Sequence, residues 1–162
     1  EALHLLAGLA ARGSDARLLL LGADEPGRER YLDELRSLAA QLGVLERLAI
    51  SRTRADVAMV QAASALVLQL STKPEAFGRT VVEALHLGVP VLGFDHGGVG
   101  ELLRELYPVG AVPAFDRAAL LDAAAALLER APPVMRFEHY RLAEMQQATL
   151  GVYAELAEVR SA

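Results

Sequence analysis

The sequence predicts an α/β protein built on a doubly wound parallel sheet, and three observations carry that expectation. Short apolar runs alternate with stretches of helical periodicity along the chain. The runs are apolar at successive positions rather than at every second one, the pattern of strands covered on both faces. Gly, Pro, Asp and Ser cluster between the two kinds of segment, where turns belong. With 162 residues the chain falls within the roughly 100–200 residues of one domain, so residues 1–162 are read as a single unit whose last part, 135–162, is a helical segment.

Leu3, Leu5, Leu6, Leu9 and Ala10 recur at helical spacing before Gly13-Ser14-Asp15, giving an opening helix. Arg17 to Leu21 is an apolar run closed by Gly22, with Asp24, Pro26 and Gly27 behind it: a buried strand entering a loop. Residues 28–42 set Tyr31, Leu35, Leu38, Ala39 and Leu42 on one helical face, and Gly43 stops them. A short strand near Leu48–Ile50, a helix near Asp56–Ala63 and a strand at Ala65–Leu70 follow. A loop at Ser71–Gly78 leads to a helix at Arg79–Leu87, a stop at Gly88 and a strand at Val89–Phe94. The remainder reads as a helix at Gly100–Leu106, a weak strand near Ala111–Pro113, a helix at Asp116–Arg130 and a last helix from about Phe137 to Val159. The stripe Leu120, Leu121, Ala124, Leu127 and Leu128 is expected in the core.

Composition removes several classes of function. The chain has no cysteine, so disulfides, thiolate metal sites and cysteine nucleophiles are out. Its net charge of −5 is dispersed, with no basic run to track a nucleic acid or an anionic membrane. Leu18-Leu19-Leu20-Leu21 is far shorter than the roughly 20 residues a spanning helix needs. No cluster of His and acids at ligand spacing suggests a metal. Lys73 is the only lysine among 16 basic residues, and with abundant Ala and Leu this points to a GC-rich bacterial source.

In doubly wound sheets ligands bind at the carboxyl ends of the strands, which directs attention to the loops after Leu21, Ile50, Leu70 and Phe94. The third stands out. It reads Ser71-Thr72-Lys73-Pro74-Glu75-Ala76-Phe77-Gly78-Arg79-Thr80-Val81-Val82-Glu83, with one carboxylate in the loop and a second just over a turn inside the helix. Free amides around Gly78–Thr80 suit a phosphate, and a carboxylate accepts hydrogen bonds from adjacent hydroxyls, so acids flanking such a site suggest a sugar nucleotide. The plain alternative is a solvated Glu75 and a Glu83 that complements the helix dipole.

The whole segment resembles the retaining glycosyltransferases of family 4, of GT-B fold, whose hallmark is E-x7-E. Ser71, Glu75, Phe77, Gly78, Glu83, Ala84, Gly88, Pro90 and Val91 match its surroundings in order, and Gly97-Gly98 with Glu101 match a downstream G-G-x-x-E. Leu18–Gly22 and Ala65–Leu68 are similar to two of the family's strands, so the likeness covers roughly residues 1–130. The resemblance implies the donor-binding, C-terminal half of an enzyme that transfers a sugar from a UDP-, GDP- or ADP-sugar. Glu75, the catalytic candidate, would contact the transferred sugar and Glu83 the ribose; Phe77, Gly78, Arg79 and Thr80 would offer backbone amides, with Arg52 and Thr53 beside the base. Asp95–Gly98 would form the neighbouring loop and Glu101 would cap or orient the next helix.

The resemblance further implies no metal or other cofactor, a cytoplasmic site, at the membrane surface in some full-length forms, and a separate N-terminal GT-B domain that binds the acceptor. This chain departs from the family in lacking the first, central strand of the 3-2-1-4-5-6 order and a lysine-glycine pair near the diphosphate. Transfer is therefore expected of a longer chain rather than of this part alone. The last helix carries apolar residues that could support a homodimer. Competing readings are a non-catalytic nucleotide-binding or interaction module of the same fold, and a sugar-nucleotide epimerase, in which the E-x-F-G-x-x-x-x-E pattern is not expected. Among the histidines, His4, His86 and His139 are expected to pack or be exposed, and His96 is a candidate to line the cleft.

Overall fold

Every apolar run named above is a strand, and every periodic stretch contains a helix, in the computed structural model, which describes residues 1–159. The order is α1 (Ala2–Ala11), β1 (Leu18–Leu21), α2 (Glu29–Gln41), β2 (Leu48–Ser51), α3 (Val57–Ala62), β3 (Val67–Gln69), α4 (Arg79–His86), β4 (Val91–Phe94), α5 (Gly97–Leu106), β5 (Ala111–Val112), α6 (Arg117–Arg130) and α7 (Leu142–Val159). All pairings are parallel. β1 pairs with β2, Leu18 opposite Leu48, while β3, β4 and β5 form a second ladder with Val67 opposite Val91 and Gly93 opposite Ala111.

The sheet parts between β1 and β3. A cavity of about 850 Å³ separates them, walled on one side by Leu18 to Leu21 and on the other by Ala65 to Leu70. This is the place at which the sequence reading leaves out a central strand.

The core has two centres. The larger gathers Leu85, Leu92, Phe94, Leu103 and Leu120, and the smaller Leu3, Leu6, Ala39 and Val44. Helix α1 serves both: Leu5 and Leu9 face the first, Leu3 and Leu6 the second. Burying each such side chain contributes about 1.5–3 kcal/mol. Leu120, Ala124 and Leu127 of α6 are buried, with Leu121 and Leu128 packed partly against them, as the stripe predicts. Asp116 caps that helix by accepting a hydrogen bond from the Ala119 amide at 2.9 Å.

Three expectations are corrected. On α2 it is Leu32, not Tyr31, that turns inward; Tyr31 is exposed, and Leu35, Leu38 and Leu42 are only partly covered. Helix α5 starts at Gly97 rather than Gly100, because the two small residues let its first turn press against the loop after β3. The last helix starts at Leu142 rather than near Phe137. Tyr140 takes the left-handed region at φ 67, incompatible with a continuing right-handed helix, and Val134, Phe137 and Tyr140 lie as a strap against the main core. The helical segment expected over 135–162 therefore begins as non-helical chain, and residues 160–162 lie outside the described part.

Candidate functional site

The loops at the carboxyl ends of the strands are tied together in pairs. Behind β1 and β2, the amides of Gly22 and Asp24 both donate to the Ser51 carbonyl, at 3.0 and 3.3 Å. The Thr53 amide donates to Glu25 Oε1 at 2.8 Å, and Arg52 lies 3.9 Å from Asp24 in an exposed pair of little energetic weight. Hydrogen bonds from Thr53, side chain and then backbone, hold the Glu25 carboxyl below its usual value.

Behind β3 and β4 the joint is backbone on backbone. The Gly98 amide donates to the Glu75 carbonyl at 2.8 Å. A Cβ at Gly98 would lie 2.7 Å from the Ala76 carbonyl oxygen and 2.8 Å from that of Phe77, and one at Gly97 would lie 3.0 Å from the Glu75 carbonyl oxygen. Glycine at both positions is what allows the two loops to touch. Asp95, just before them, forms an ion pair with Arg104 of α5.

Between these contacts the segment 75–83 takes its shape. Gln69, at the end of β3, donates from Nε2 to Glu75 Oε1 at 2.9 Å and so orients that carboxylate. Gly78 is in the left-handed region at φ 95, where a side chain is strained, and its Cβ position is 3.1 Å from a Val99 methyl. Helix α4 begins at the next residue with no side-chain cap, leaving first-turn amides available to a ligand. Val81, Val82, Ala84 and Leu85 are buried and fix the helix against the core. On its exposed side the Arg79 guanidinium meets the Glu83 carboxylate at 3.1 Å.

Not all the sequence-predicted residues share one wall. Thr80 and Glu83 line the large cavity together with Gln69, and Gln61 of α3 joins them, buried with an Oε1 that has no protein partner. Glu75, Phe77 and Gly78 stand next to them in the same segment, with Glu75 linked to the cavity wall through Gln69. Arg52 and Thr53 belong to the other loop pair; among the described residues no hydrogen bond or ion pair joins them to 75–83. His86 packs, its Nδ1 3.1 Å from the Val82 carbonyl and its ring edge-on to Phe137, while His96 meets the ring of Phe115. Glu101 is a residue of α5 and caps nothing.

Two participants escape sequence reading. Gln69 sits in an apolar strand run and shows its role only through its contact with Glu75. Tyr140 lies 63 positions from Phe77, yet their rings meet at 5.6 Å. As chemistry, the arrangement offers carboxylate acceptors beside unbonded amides at a helix start. That suits a polyol joined to an anion. Among the described residues no group of three His, Asp or Glu is placed to hold a metal ion, and no helix is long and apolar enough to cross a membrane.

The family profile described as "Glycosyl transferases group 1" matches residues 1–141. This chain belongs to the group 1 glycosyl transferases. Among relatives of this chain, D-inositol 3-phosphate glycosyltransferase of Mycobacterium sp. (strain KMS) is 30% identical over 138 residues, 84% of this chain and 31% of the relative. The enzyme of the same name from Nocardia farcinica is 31% identical over 117 residues, 72% of this chain and 26% of the relative. The chain thus spans about a third of the length of the curated relatives it matches.

Solved structures agree. Anabaena Alr3699/HepE in complex with UDP-glucose is 29% identical, with a TM-score of 0.65 over 76% of this chain and 35% of that one. WaaG, a glycosyltransferase involved in lipopolysaccharide biosynthesis, shares the fold at 24% identity, with a TM-score of 0.66 over 81% of this chain and 34% of its own. The chain therefore has the GT-B type of α/β architecture, with its two parallel ladders forming a partial Rossmann-like sheet.

Proposed function

We propose that this chain is the donor-binding part of a retaining glycosyltransferase, taking a sugar from a nucleoside diphosphate and passing it to an acceptor held by another domain. The observation that carries the reading is the segment Glu75-Ala76-Phe77-Gly78 running into the open start of α4 with Glu83 one turn inside. Glu75, oriented by Gln69, accepts hydrogen bonds from hydroxyls of the transferred sugar. Glu83 exchanges its contact with Arg79 for the ribose diol. The amides of residues 77–80 meet the diphosphate, where they stabilise charge building on the leaving nucleotide without needing to reorganise. Arg52 and Thr53 lie beside the base.

The reading is supported by the UDP-glucose complex of the related Anabaena protein, which makes UDP-glucose the first donor to try. It needs no metal and places the enzyme in the cytoplasm, where nucleotide sugars are made. The exposed apolar residues of α7, Leu142, Met145, Leu150, Tyr153 and Leu156, favour association with a second copy; a strictly monomeric sedimentation profile at high concentration would count against that.

Calorimetric titration with UDP, GDP, ADP and their glucose conjugates tests the donor site. One base is expected to bind at millimolar affinity or better, weakened about tenfold by Glu83→Gln, the scale of a lost charge-assisted hydrogen bond. Equal binding by the variant would remove Glu83 from the site. Binding without any transfer in the intact protein would instead favour a non-catalytic nucleotide module.

A further inference from the structure

Residues 131–141 run as a strap from α6 to α7, and four contacts pin it down. The Tyr107 hydroxyl donates to the Pro132 carbonyl at 3.1 Å. The Phe137 ring meets His86 edge-on, centroids 4.1 Å apart. The Tyr140 hydroxyl donates to Glu105 Oε2 at 2.6 Å, while Glu105 Oε1 lies 3.1 Å from His139 Nε2. From that last anchor the Tyr140 ring reaches Phe77, tilted at 58° with centroids 5.6 Å apart.

The backbone marks the same residue. Only Phe115 and Tyr140 among the described non-glycine residues have positive φ, a conformation that bulky L-residues keep only where their surroundings compel it. Phe77 is 42% exposed, so its own burial does not fix its ring. It directly precedes Gly78, whose left-handed turn sets the direction of the amides entering α4. The loop is held from one side by the Gly98 amide on the Glu75 carbonyl, and Tyr140 holds it from the other.

We propose that Tyr140 is a positioning residue for this loop: anchored through Glu105, its ring fixes Phe77 and thereby the backbone amides of residues 77–80. The role rests on the donor-site reading above, but it assigns a task to the strap, which that reading leaves unused. Nothing in it requires Tyr140 to touch the donor.

Two substitutions in the intact protein separate ring from hydroxyl. Tyr140→Phe keeps the ring on Phe77 and loses the bond to Glu105. Tyr140→Asn loses the ring but tolerates the left-handed backbone. Two measurements are made on each: hydrogen exchange of the amides of 76–80 without ligand, and binding of UDP-, GDP- and ADP-glucose with Glu83→Gln as reference. The asparagine variant is expected to exchange faster at 76–80 and to bind about fivefold more weakly, the scale of one aromatic pair. The phenylalanine variant, which keeps the ring but loses its anchor, should fall between wild type and the asparagine variant in both.

Unchanged exchange at 76–80 in Tyr140→Asn overturns the proposal, as does exchange that rises equally in β4, which would mark general destabilisation. If wild type binds none of the three sugars, the donor reading fails while the exchange result still decides whether Tyr140 holds the loop.

Discussion

Strands β1 and β4 are four residues each, Leu-Leu-Leu-Leu and Val-Leu-Gly-Phe, and the more hydrophobic of the two is the less buried. All of β4 is inside, whereas β1 has one exposed residue and three half-covered ones. Hydrophobicity qualifies a segment for the interior, but neighbours put it there. β4 has a partner strand on both edges and helices α5 and α6 against it, while β1 has β2 on one edge and the cavity on the other. The candidate site follows the same division. Its best-determined part, 75–83 with Gly97-Gly98, grows from the well-packed half, and Arg52 and Thr53 grow from the other.

Truncation should show the contrast most strongly. Phe94→Ala empties a site that is 1% exposed and is expected to cost about 3–5 kcal/mol in urea unfolding. Leu19→Ala, at a residue 43% exposed, should cost under about 1 kcal/mol. Similar losses at both positions would mean that the two halves are equally packed in solution. Native-state hydrogen exchange gives the same comparison without mutation: β4 amides should open only with global unfolding and β1 amides by a cheaper local route.

A smaller effect is expected at the start of α6, which leans on β4 and also on α1. Asp116→Ala removes its cap and should lower stability by about 1 kcal/mol, with Asp116→Asn recovering most of it. Smallest is a pH effect. The bond to Glu105 disfavours tyrosinate and raises Tyr140 from 10.0 to about 12. Because the folded value is the higher one, this contribution is complete below pH 10 and is lost as pH rises through about 12. Ultraviolet titration should show a late tyrosine that disappears in Tyr140→Phe; if the tyrosine lost in the variant is instead one that titrates near 10.0, the bond is absent.

Much of this was legible before any coordinates. Apolar runs and glycine stops located all five strands, since those signals depend only on nearby residues. The order from Glu75 to Glu83 marked the segment that the structure shapes around Gly78. What could not be read depends on distance along the chain. Tyr31 and Leu32 suit the inner face of α2 almost equally by periodicity, and only the folded chain shows that Leu32 is the one buried. Phe137 looks like a helix start until its ring is seen on His86. Gln69 and Tyr140 acquire roles solely through partners that no local spacing reveals.

The contact of Gly97 and Gly98 with residues 74–77 also sets terms for engineering. Any side chain at 98 collides with two carbonyls of the facing loop, so a library that varies 71–77 must hold both glycines constant. Conversely, variation at 97–98 would largely return misfolded loops, whatever sequence stood opposite. The useful diversity is one-sided: it lies in the side chains of the first loop that point away from the second.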